Sequence, residues 1–598
     1  MAAAVPPSSH AASPASLGAG PRAGVATAAA LVLLVLAILL AYVPAVLAGL
    51  GFVSDDFMIL QRLSDAGGLR GAAAFFGQSF YDYYRPLGFV SFAADWTLWG
   101  SWPAGYHATS ILLHLVNTIL VFLLARRLLG ADASAVAAAV FGLHVVNQEA
   151  VFWASARFDL LATAGALGTL LLLGSRLTWR HAAAALLYLA ALLSKESVVA
   201  LPVAAGAYVW LVRRDRPSEL ARVFAWLGAA GVIYVLCRHA SGLPATGGAG
   251  RIPKIAVLVM LPLLQLAAAH PATSGIRAWL LRRRGVVAGG AAIALAAAGG
   301  LALASSGAPA LRGAFSAFGF AALHLLSPVS PEPWLNPLPA WLSLAGLAAA
   351  GVLVLAAWRL AGRETPALLA FLLVAALLPV SSMTEGSRYL YLASVPVAMA
   401  AAWALSVMTP RTVAPACTLL ALVLVASGWQ IRAKGRDWLW ASDMTARAVS
   451  TIVGAAGPGC RDAHIVFATA PVRTRGVYAN INHEALAALG ECRPATLRTI
   501  IRTGYDDPAI DARLDAIRLE LRVASYRGGF VISPGFERYA TRIDHRAVTR
   551  LTNEFGAFEA APVGPDLVIT QQLPPGAATA MHWFVFSDGS LRHLPLAR

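Results

Sequence analysis

The chain has 598 residues, of which 58% are hydrophobic and only 13% are charged, and its formal net charge is +16. Soluble proteins average about 25% charged residues, so the composition excludes an ordinary soluble protein and indicates a polytopic α-helical membrane protein. Because Lys and Arg accumulate in the cytoplasmic loops of such proteins, the positive charge does not indicate nucleic-acid binding.

The first hundred residues predict a tail, a span and an outer loop. Residues 1–24 are rich in Ala, Ser, Pro and Gly, which predicts a disordered cytoplasmic tail. The apolar run 25–50 is too long for the core of a signal peptide and predicts an uncleaved first membrane span. The aromatic segment 51–106 follows as a long loop whose composition suits helices at the membrane–water boundary.

Further apolar runs approach the roughly 20 residues that cross a bilayer, and they bring the predicted total to about thirteen spans. Arg126 and Arg127 end the second span, so the positive-inside rule places the N-terminus in the cytoplasm and loop 51–106 outside. Residues 311–326 are also apolar and remain open as a span or a half-inserted helix. The predicted spans after the first lie near residues 107–129, 135–152, 158–175, 181–195, 197–212, 222–238, 254–270, 286–306, 338–358, 364–381, 388–408 and 412–430.

An odd number of spans places everything after residue 430 outside. There the charges become frequent, and residues 437–598 predict a small soluble extracytoplasmic α/β domain behind the membrane module 25–436. Strands are predicted near residues 465–467, 530–532, 567–569 and 583–586, and helices near 484–489 and 510–522.

The four cysteines do not form a disulfide scaffold. Cys237 and Cys417 lie in apolar runs, where we expect packing residues. Cys460 and Cys492 lie in the presumed external part, and we predict that they pair, because that compartment is oxidising if the topology holds.

Polar clusters interrupt the apolar sequence at five places, all on the predicted outer side. Each cluster alone also fits helix caps, interface anchors or ion pairs such as Arg157 with Asp159. Five clusters on one side, in short loops, favour a shared polar cavity. They are Ser54-Asp55-Asp56; Tyr81 to Pro86, with Arg85; His144 to Glu149, with Arg157 and Asp159 beyond; Ser194 to Ser197, with Lys195 and Glu196; and Glu385 to Tyr391, with Arg388 and Tyr389.

Such a cavity suits the transfer of a sugar from a polyprenyl phosphate, whose lipid tail lies in the bilayer while its anomeric carbon lies at the interface. The reaction needs a general base for the acceptor hydroxyl, and either Asp55 or Asp56 can supply it. It also needs cations to stabilise the leaving phosphate. The candidates for that role are Arg85, Arg157, Lys195 and Arg388.

The remaining polar residues have supporting roles in this hypothesis. Glu149 and His144 would orient the acceptor, and Asp55, Asp56 and Glu149 are candidate ligands of a divalent cation such as Mg²⁺ or Mn²⁺. Other cavity residues would be Glu196, Glu385 and Tyr389. The sequence contains no Gly-rich nucleotide-binding loop, which favours a lipid-linked donor over a nucleotide sugar.

The Asp pair after the first span resembles the acidic motif in the first outer loop of C-type (GT-C) glycosyltransferases, which include protein O-mannosyltransferases, aminoarabinose transferases and oligosaccharyltransferases. Residues 30–430 resemble most the O-mannosyltransferase-like module of proteins with C-terminal tetratricopeptide repeats. The motifs are Tyr84-Arg85-Pro86-Leu87; Gly105-Tyr106-His107 with His114 and Asn117; Leu143-His144 with Glu149 and Arg157; Leu193 to Glu196 with Pro202; and Glu385 with Arg388 to Tyr391.

The resemblance implies that the Asp pair is catalytic, with Asp55 as the base, and that the positive residues contact the lipid phosphate. Val145 departs from the family, which usually has Pro after the His. The C-terminal part is not a tetratricopeptide array, so acceptor choice does not carry over. Residues 254–306 look like spans added to the family core.

The sequence therefore favours an inverting hexosyl- or pentosyltransferase in the cytoplasmic (inner) membrane, acting on a protein, lipid or glycan acceptor. A transporter or flippase is the first alternative, but it would be expected to show charges within spans and broken helices in matching halves. A polymerase or ligase of surface polysaccharide is the second. It would share the lipid donor but not the early Asp-Asp motif.

Overall fold

A computed structural model describes most of the membrane part and much of the C-terminal part. The predicted spans near 254–270, 286–306 and 338–358, and the candidate residue Glu385, lie outside the described residues. The described ranges are 21–80, 83–175, 177–213, 217–242, 319–327, 364–377, 386–503, 510–515, 518–524, 531–532, 541–542, 547–553, 556–573, 581–587 and 589–595.

Helices make up the described part of the chain up to residue 456. Five helical segments are long and apolar enough to cross a membrane, or six if a pair bent by 49° between residues 131 and 152 forms one span. The chain is thus a polytopic helical membrane protein, as its composition predicted, and the count of thirteen stays a prediction. The helices are α1 Pro21–Leu47, α2 Asp55–Ala66, α3 Pro86–Trp99, α4 Pro103–Leu129, α5 Ala131–Gly142, α6 Gln148–Phe152, α7 Arg157–Leu173, α8 Thr178–Ser194, α9 Leu201–Leu211, α10 Pro217–Ala240, α11 Glu364–Leu377, α12 Ser394–Ser406 and α13 Pro410–Ala456.

The loop between α1 and α4 folds as helices, as its aromatic content predicted. It contains α2, a 3₁₀ segment Gly68–Phe76 and α3. Pro86 and Pro103 begin α3 and α4, where a missing N–H costs nothing. Phe57 of α2 and Phe92 of α3 belong to one buried apolar cluster beneath the loop. This packing fixes the loop against the bundle.

Several residues of the family-like motifs form a polar network inside the bundle. The ring nitrogens of His114 lie 2.7 Å from the Tyr391 hydroxyl and 3.0 Å from the Gly142 carbonyl oxygen. The Asn117 amide donates to the Leu160 carbonyl oxygen at 2.9 Å. These buried groups join α4, α5, α7 and the segment before α12, so we assign them a structural role.

Arginines mark the end of the bundle where α7 finishes. Arg127 donates to the carbonyl oxygens of Leu171, at 3.1 Å, and of Gly174. Arg213 donates to the Leu173 carbonyl oxygen at 2.7 Å. Since α7 has 17 residues, it separates this basic end from its N-terminus by about 25 Å.

Helix α13 connects the membrane part to the C-terminal part. Its first half exposes Leu419, Leu422 and Val425, which suits contact with lipid. Its second half is buried at Ile431 and Trp438, and the Trp438 indole N–H donates to Gln148 Oε1 at 2.7 Å. The membrane part and the residues after it therefore share one continuous element.

Two sheets dominate the described C-terminal residues. A six-stranded sheet has the order β13-β12-β1-β4-β7-β8, with β1 parallel to β12 and β4, and a five-stranded antiparallel sheet has the order β5-β6-β11-β10-β9. β2 and β3 form a separate hairpin. The elements are β1 His464–Pro471, β2 Arg473–Thr474, β3 Val477–Tyr478, α14 His483–Gly490, β4 Thr496–Thr503, β5 Ile510–Asp515, β6 Arg518–Val523, β7 Val531–Ile532, β8 Thr541–Arg542, β9 Thr549–Asn553, β10 Gly556–Val563, β11 Asp566–Gln572, β12 Met581–Ser587 and β13 Ser590–Leu594.

The strands predicted near 465–467, 567–569 and 583–586 and the helix near 484–489 are confirmed, and of the strand near 530–532 the described residues Val531–Ile532 form β7. The helix predicted over 510–522 is wrong. This stretch forms the paired strands β5 and β6. Leu519, Leu521 and Val523 are buried at alternate positions, the period of two that a strand requires and a helix does not.

The predicted disulfide between Cys460 and Cys492 is confirmed. Both residues are fully buried and lie where α13 and α14 end. Cys237 is partly buried on α10, whereas Cys417 is exposed on α13. Cys417 is therefore not the interior packing residue we expected, because the face of α13 that carries it is not covered by the described residues.

Candidate active site

The two adjacent acids after α1 have different surroundings. Asp56 is 3% exposed. One carboxylate oxygen accepts the Val53 backbone N–H at 3.0 Å, and the other accepts both the N–H of Ser155, at 2.7 Å, and its hydroxyl. Asp55, by contrast, is exposed at the start of α2. Asp56 thus fastens the loop to the residues before α7, while Asp55 is the more accessible of the two acids.

Both acids are less acidic than ordinary carboxyls. Burial raises the pKa of Asp56 to about 7, although hydrogen bonds from Ser155 and Val53 oppose that rise. Desolvation by the surrounding protein also raises the pKa of Asp55, and the positive charge of Arg388 lowers it in part. Asp55 and Arg388 therefore interact electrostatically, although they are more than 300 positions apart in the sequence.

The backbone in front of Asp55 is strained. Ser54 has φ 49° and ψ −115°, a region that L-residues rarely adopt and that costs on the order of 1–3 kcal/mol. Its hydroxyl lies 3.4 Å from Asp55 Oδ1. Such strain occurs at functional sites when the surrounding structure holds it in place.

Two of the predicted phosphate-binding cations form buried or half-buried ion pairs. Arg85 contacts both carboxylate oxygens of Glu196, at 2.9 and 2.6 Å. Lys195 contacts both oxygens of Asp159, at 2.7 and 2.6 Å. Lys195 is thus ion-paired, but its partner is Asp159 on α7 rather than the neighbouring Glu196.

Arg388 has the most aromatic surroundings of the four cations. Its guanidinium binds one oxygen of Glu149 and donates to the Tyr389 hydroxyl at 2.8 Å. Its central carbon lies 4.4 Å from the centre of the Tyr389 ring and 4.5 Å from that of Trp153. Cation–π contacts of this kind hold the guanidinium in one position.

Three of the four cations gather around one carboxylate. Electrostatic interactions link Asp159 to Lys195, Arg388 and Arg85, and the Lys195 ammonium lies 4.6 Å from the centre of the same Tyr389 ring that Arg388 contacts. The N-terminus of α7, the C-terminus of α8 and the segment before α12 thus meet, as the polar clusters predicted. Arg85, Lys195 and Arg388 are together called the cation cluster below.

Arg157 does not belong to this cluster. Its side chain is fully buried and lies 2.5 Å from Asp95, not beside Asp159. It also donates to the Tyr106 carbonyl oxygen at 2.8 Å and lies 4.4 Å from the centre of the Phe92 ring. Every one of these partners belongs to α3 or α4, so Arg157 joins the outer loop to the bundle.

Both ring nitrogens of His144 are hydrogen-bonded to backbone groups. Its Nδ1 accepts the Val146 N–H at 3.2 Å, and its Nε2 lies 3.1 Å from the Leu325 carbonyl oxygen. The neutral ring thereby holds the bend between α5 and α6, instead of presenting a nitrogen to a ligand.

Two of the three candidate metal ligands, Glu149 and Asp56, are already bound by groups of the protein. Glu149 accepts the Ser387 hydroxyl at 3.1 Å and the Arg388 N–H at 3.0 Å on one oxygen, and the Arg388 guanidinium on the other. Both oxygens of Asp56 are likewise engaged. Within the ranges given above, no group of three or more His, Cys, Asp or Glu side chains is arranged to hold a metal ion.

The C-terminal part also reaches this site, which no sequence pattern indicated. Tyr478, on the β2–β3 hairpin, stacks on Trp153 with ring centres 5.0 Å apart and 22° between the planes. It also lies under Arg388, at 5.1 Å. Arg473 of the same hairpin bonds the Tyr478 hydroxyl and interacts electrostatically with Glu149. A local pattern could not reveal these contacts, because they connect the site to residues more than 80 positions further along the chain.

A small apolar cavity lies between α4, α7, α9, α11 and α12. Its lining includes Val198, three residues after Lys195, and Leu392, four residues after Arg388, with Leu124, Leu167 and Leu372 among the rest.

No protein-family model matches the chain. The chain is similar to two curated proteins from Drosophila melanogaster. It is 37% identical to the protein O-mannosyl-transferase Tmtc1 over 121 residues, which are 18% of this chain and 14% of that protein. It is 32% identical to the protein O-mannosyl-transferase Tmtc2 over 173 residues, 25% of this chain and 18% of that protein.

Two solved structures are also similar. One is the apo oligosaccharyltransferase of Archaeoglobus fulgidus, with 12% identity and a TM-score of 0.46 over 79% of this chain and 64% of that one. The other is ArnT of Cupriavidus metallidurans bound to undecaprenyl phosphate, with 15% identity and a TM-score of 0.33 over 78% and 85% of the two chains. The sequence matches to the two fly proteins confirm, over part of the chain, the resemblance to O-mannosyltransferases that the motifs indicated.

Proposed function

We propose that this protein is an integral membrane glycosyltransferase that moves a sugar from a polyprenyl phosphate to an acceptor hydroxyl. The observation that carries the proposal is the exposed carboxylate of Asp55, which interacts electrostatically with Arg388 of the cation cluster. A base and a phosphate-binding group are the two parts that this reaction needs.

The cation cluster binds the phosphate of the donor in this proposal. Arg85 and Arg388 keep part of their side chains accessible, 11% and 13% respectively. Their carboxylate partners hold them in place before the donor arrives, so that little reorganisation accompanies binding.

Transfer then follows as a single displacement with inversion. Asp55 takes the proton of the acceptor hydroxyl as the acceptor oxygen forms its bond to the anomeric carbon. The bond from that carbon to the phosphate oxygen breaks, and the electron pair leaves with the lipid phosphate. The cation cluster stabilises the negative charge that develops on this leaving group. No step uses a metal ion.

The other candidate residues support this chemistry. Asp56 orients the loop that carries Asp55, and Glu149 positions Arg388. Arg157 and His144 are structural in the proposal, because their buried polar groups bond within the protein. Tyr389 fixes two members of the cation cluster through its ring.

The names of the two fly relatives make mannose and a protein hydroxyl the first donor sugar and acceptor to test. A lipid or glycan acceptor remains the alternative. The site lies at the end of the bundle opposite Arg127 and Arg213, and the positive-inside rule places those arginines in the cytoplasm. We therefore place the reaction, and the residues after α13, outside the cytoplasmic membrane.

The most informative experiment removes the protein from its native cell and measures polyprenyl-phosphate sugars by mass spectrometry. The proposal predicts that one such lipid accumulates and that the wild-type gene clears it. An unchanged lipid pool contradicts the proposal. Accumulation confined to the inner leaflet contradicts it as well, and would favour a flippase.

A further inference from the structure

A short segment of the C-terminal part, residues 473–482, contacts three parts of the proposed site. Tyr478 covers Arg388 and Trp153, and Arg473 interacts electrostatically with Glu149. The segment ends at Asn482, which reaches the strained residue in front of Asp55. It therefore forms one wall of the site, although Tyr478 and Trp153 are more than 300 positions apart in the sequence.

Asn482 makes two different hydrogen bonds with the two ends of its amide. Its Oδ1 accepts the Ala485 N–H at 2.8 Å and so caps α14. Its Nδ2 donates to the Ser54 carbonyl oxygen at 3.2 Å. The second bond acts on the peptide group that joins Ser54 to Asp55, and Ser54 is the residue with φ 49°.

Packing and a covalent bond fix Asn482 in this position. Ala485 of α14 is fully buried and belongs to the same apolar cluster as Phe57 of α2. The disulfide between Cys460 and Cys492 closes a loop of 32 residues that contains the whole of residues 473–482. The side-chain amide of Asn482 is thus held in place by α13, α14 and α2 together.

We propose that Asn482 is a positioning residue for Asp55. Its amide holds the Ser54 carbonyl, and with it the strained turn that aims the Asp55 carboxylate. This inference rests on the proposed function, since it assigns Asn482 a role in the same transfer reaction. The C-terminal part then contributes to catalysis directly, rather than only being attached to the membrane module.

The first test variant removes the hydrogen-bond donor of residue 482 but keeps a side-chain oxygen that caps α14. Asn482→Ser retains a good N-cap oxygen for α14 but loses the amide donor. We expect kcat to fall by about 10- to 100-fold, since small displacements of a catalytic group have effects of that size, while KM for the donor and the melting temperature stay close to wild type. The probe is the polyprenyl-phosphate sugar extracted from cells that lack the protein, supplied to membranes that contain equal amounts of each variant.

A second substitution distinguishes positioning from capping. Glycine adopts the backbone angles of residue 54 without strain. With Gly at position 54, the hydrogen bond from Asn482 is therefore no longer needed to hold this conformation. In the Ser54→Gly background, Asn482→Ser should therefore change kcat less than twofold. A residue that only capped α14 would have the same effect in both backgrounds. His483→Ala, at an exposed neighbouring position, serves as the control and should match wild type.

The outcomes separate this inference from the function on which it rests. If Asp55→Asn is inactive and Asn482→Ser has the wild-type kcat, Asn482 does not position the base, and the transferase function stands. If Asn482→Ser is equally impaired with Ser or Gly at position 54, the inference also fails. If no lipid-linked sugar accumulates in cells without the protein, the proposed function itself fails.

Discussion

At the scale of single residues, adjacent side chains in the site have different surroundings and therefore different proposed roles. Asp55 and Asp56 are adjacent, yet one is exposed and the other accepts three hydrogen bonds. The sequence indicated that one of the two acids is the general base, but only the resemblance to C-type glycosyltransferases favoured Asp55 for this role. Residue type alone could not separate the two acids, because their difference arises from Ser155, about 100 positions away.

The charge of Arg388 should set the pH at which activity is lost. A general base works only when it is ionised, so activity falls as the pH drops through the pKa of Asp55. Desolvation by the surrounding protein raises that pKa above the usual carboxyl value of about 3.9, and the positive charge of Arg388 lowers it in part. In Arg388→Gln the lowering is lost, so the acidic limb of the pH profile of kcat/KM should move to higher pH.

Arg388→Lys is the matched control for this measurement, because it keeps the positive charge and should keep the position of the limb. Loss of donor binding alone would lower kcat/KM at every pH without moving the limb. An unmoved limb in Arg388→Gln would therefore contradict the electrostatic link between Arg388 and Asp55.

Lys195 requires a design that separates donor binding from folding. Lys195→Met leaves the buried Asp159 without its partner, which typically costs about 3–5 kcal/mol of stability. Adding Asp159→Asn removes the unpaired charge, so the double variant should recover most of the melting temperature. Donor binding should stay weak in both variants, because the ammonium is absent from both. Normal donor affinity in the double variant would make Lys195 purely structural.

At the scale of elements, the sequence predicted which segments meet but not how their charges pair. Successive spans cross the membrane in opposite directions, so the N-terminus of α7, the C-terminus of α8 and the N-terminus of α12 were expected on the same side. The ion-pair partners of Arg157 and Lys195, Asp95 and Asp159, could not be identified from the sequence, because several acids were equally available. Residues 510–522 were assigned to a helix because their charges hid the alternation of Leu519, Leu521 and Val523.

The disulfide is an element that the sequence did predict, and its removal should have a measurable effect. A closed loop of 32 residues is expected to contribute about 2–4 kcal/mol. The double variant Cys460→Ala and Cys492→Ala should therefore melt at a lower temperature. Its kcat should fall as well if residues 473–482 help to form the site. Cys417→Ala, which changes an exposed free cysteine, is the control and should leave both unchanged.

At the scale of the whole molecule, the account depends on orientation. Arg127 and Arg213 lie at one end of α7, and the cation cluster lies at the other. Composition predicted the membrane class, and charge predicted which end faces the cytoplasm. The contact of the C-terminal part with the site could not be predicted, since tertiary contacts over hundreds of residues leave no local pattern.

Reporter fusions test this orientation. Alkaline phosphatase folds only outside the cytoplasm, so a fusion after Gly457, where α13 has ended, should be active. A fusion near Arg214 should be inactive. A fusion of green fluorescent protein at the same two positions is the control and should give the reverse pattern. Activity at position 214 and none at 457 would place the site in the cytoplasm and contradict the account.

The central claim is that Asp55 is the general base, and its most direct test is the transfer rate of Asp55→Asn. The substitution keeps the size of the side chain but removes a base that typically contributes about 10²–10⁴-fold. We predict that transfer from the extracted lipid donor falls by that factor while donor binding and the melting temperature are retained, and that Asp56→Asn keeps more activity. Transfer by Asp55→Asn at close to the wild-type rate would contradict the assignment of the base.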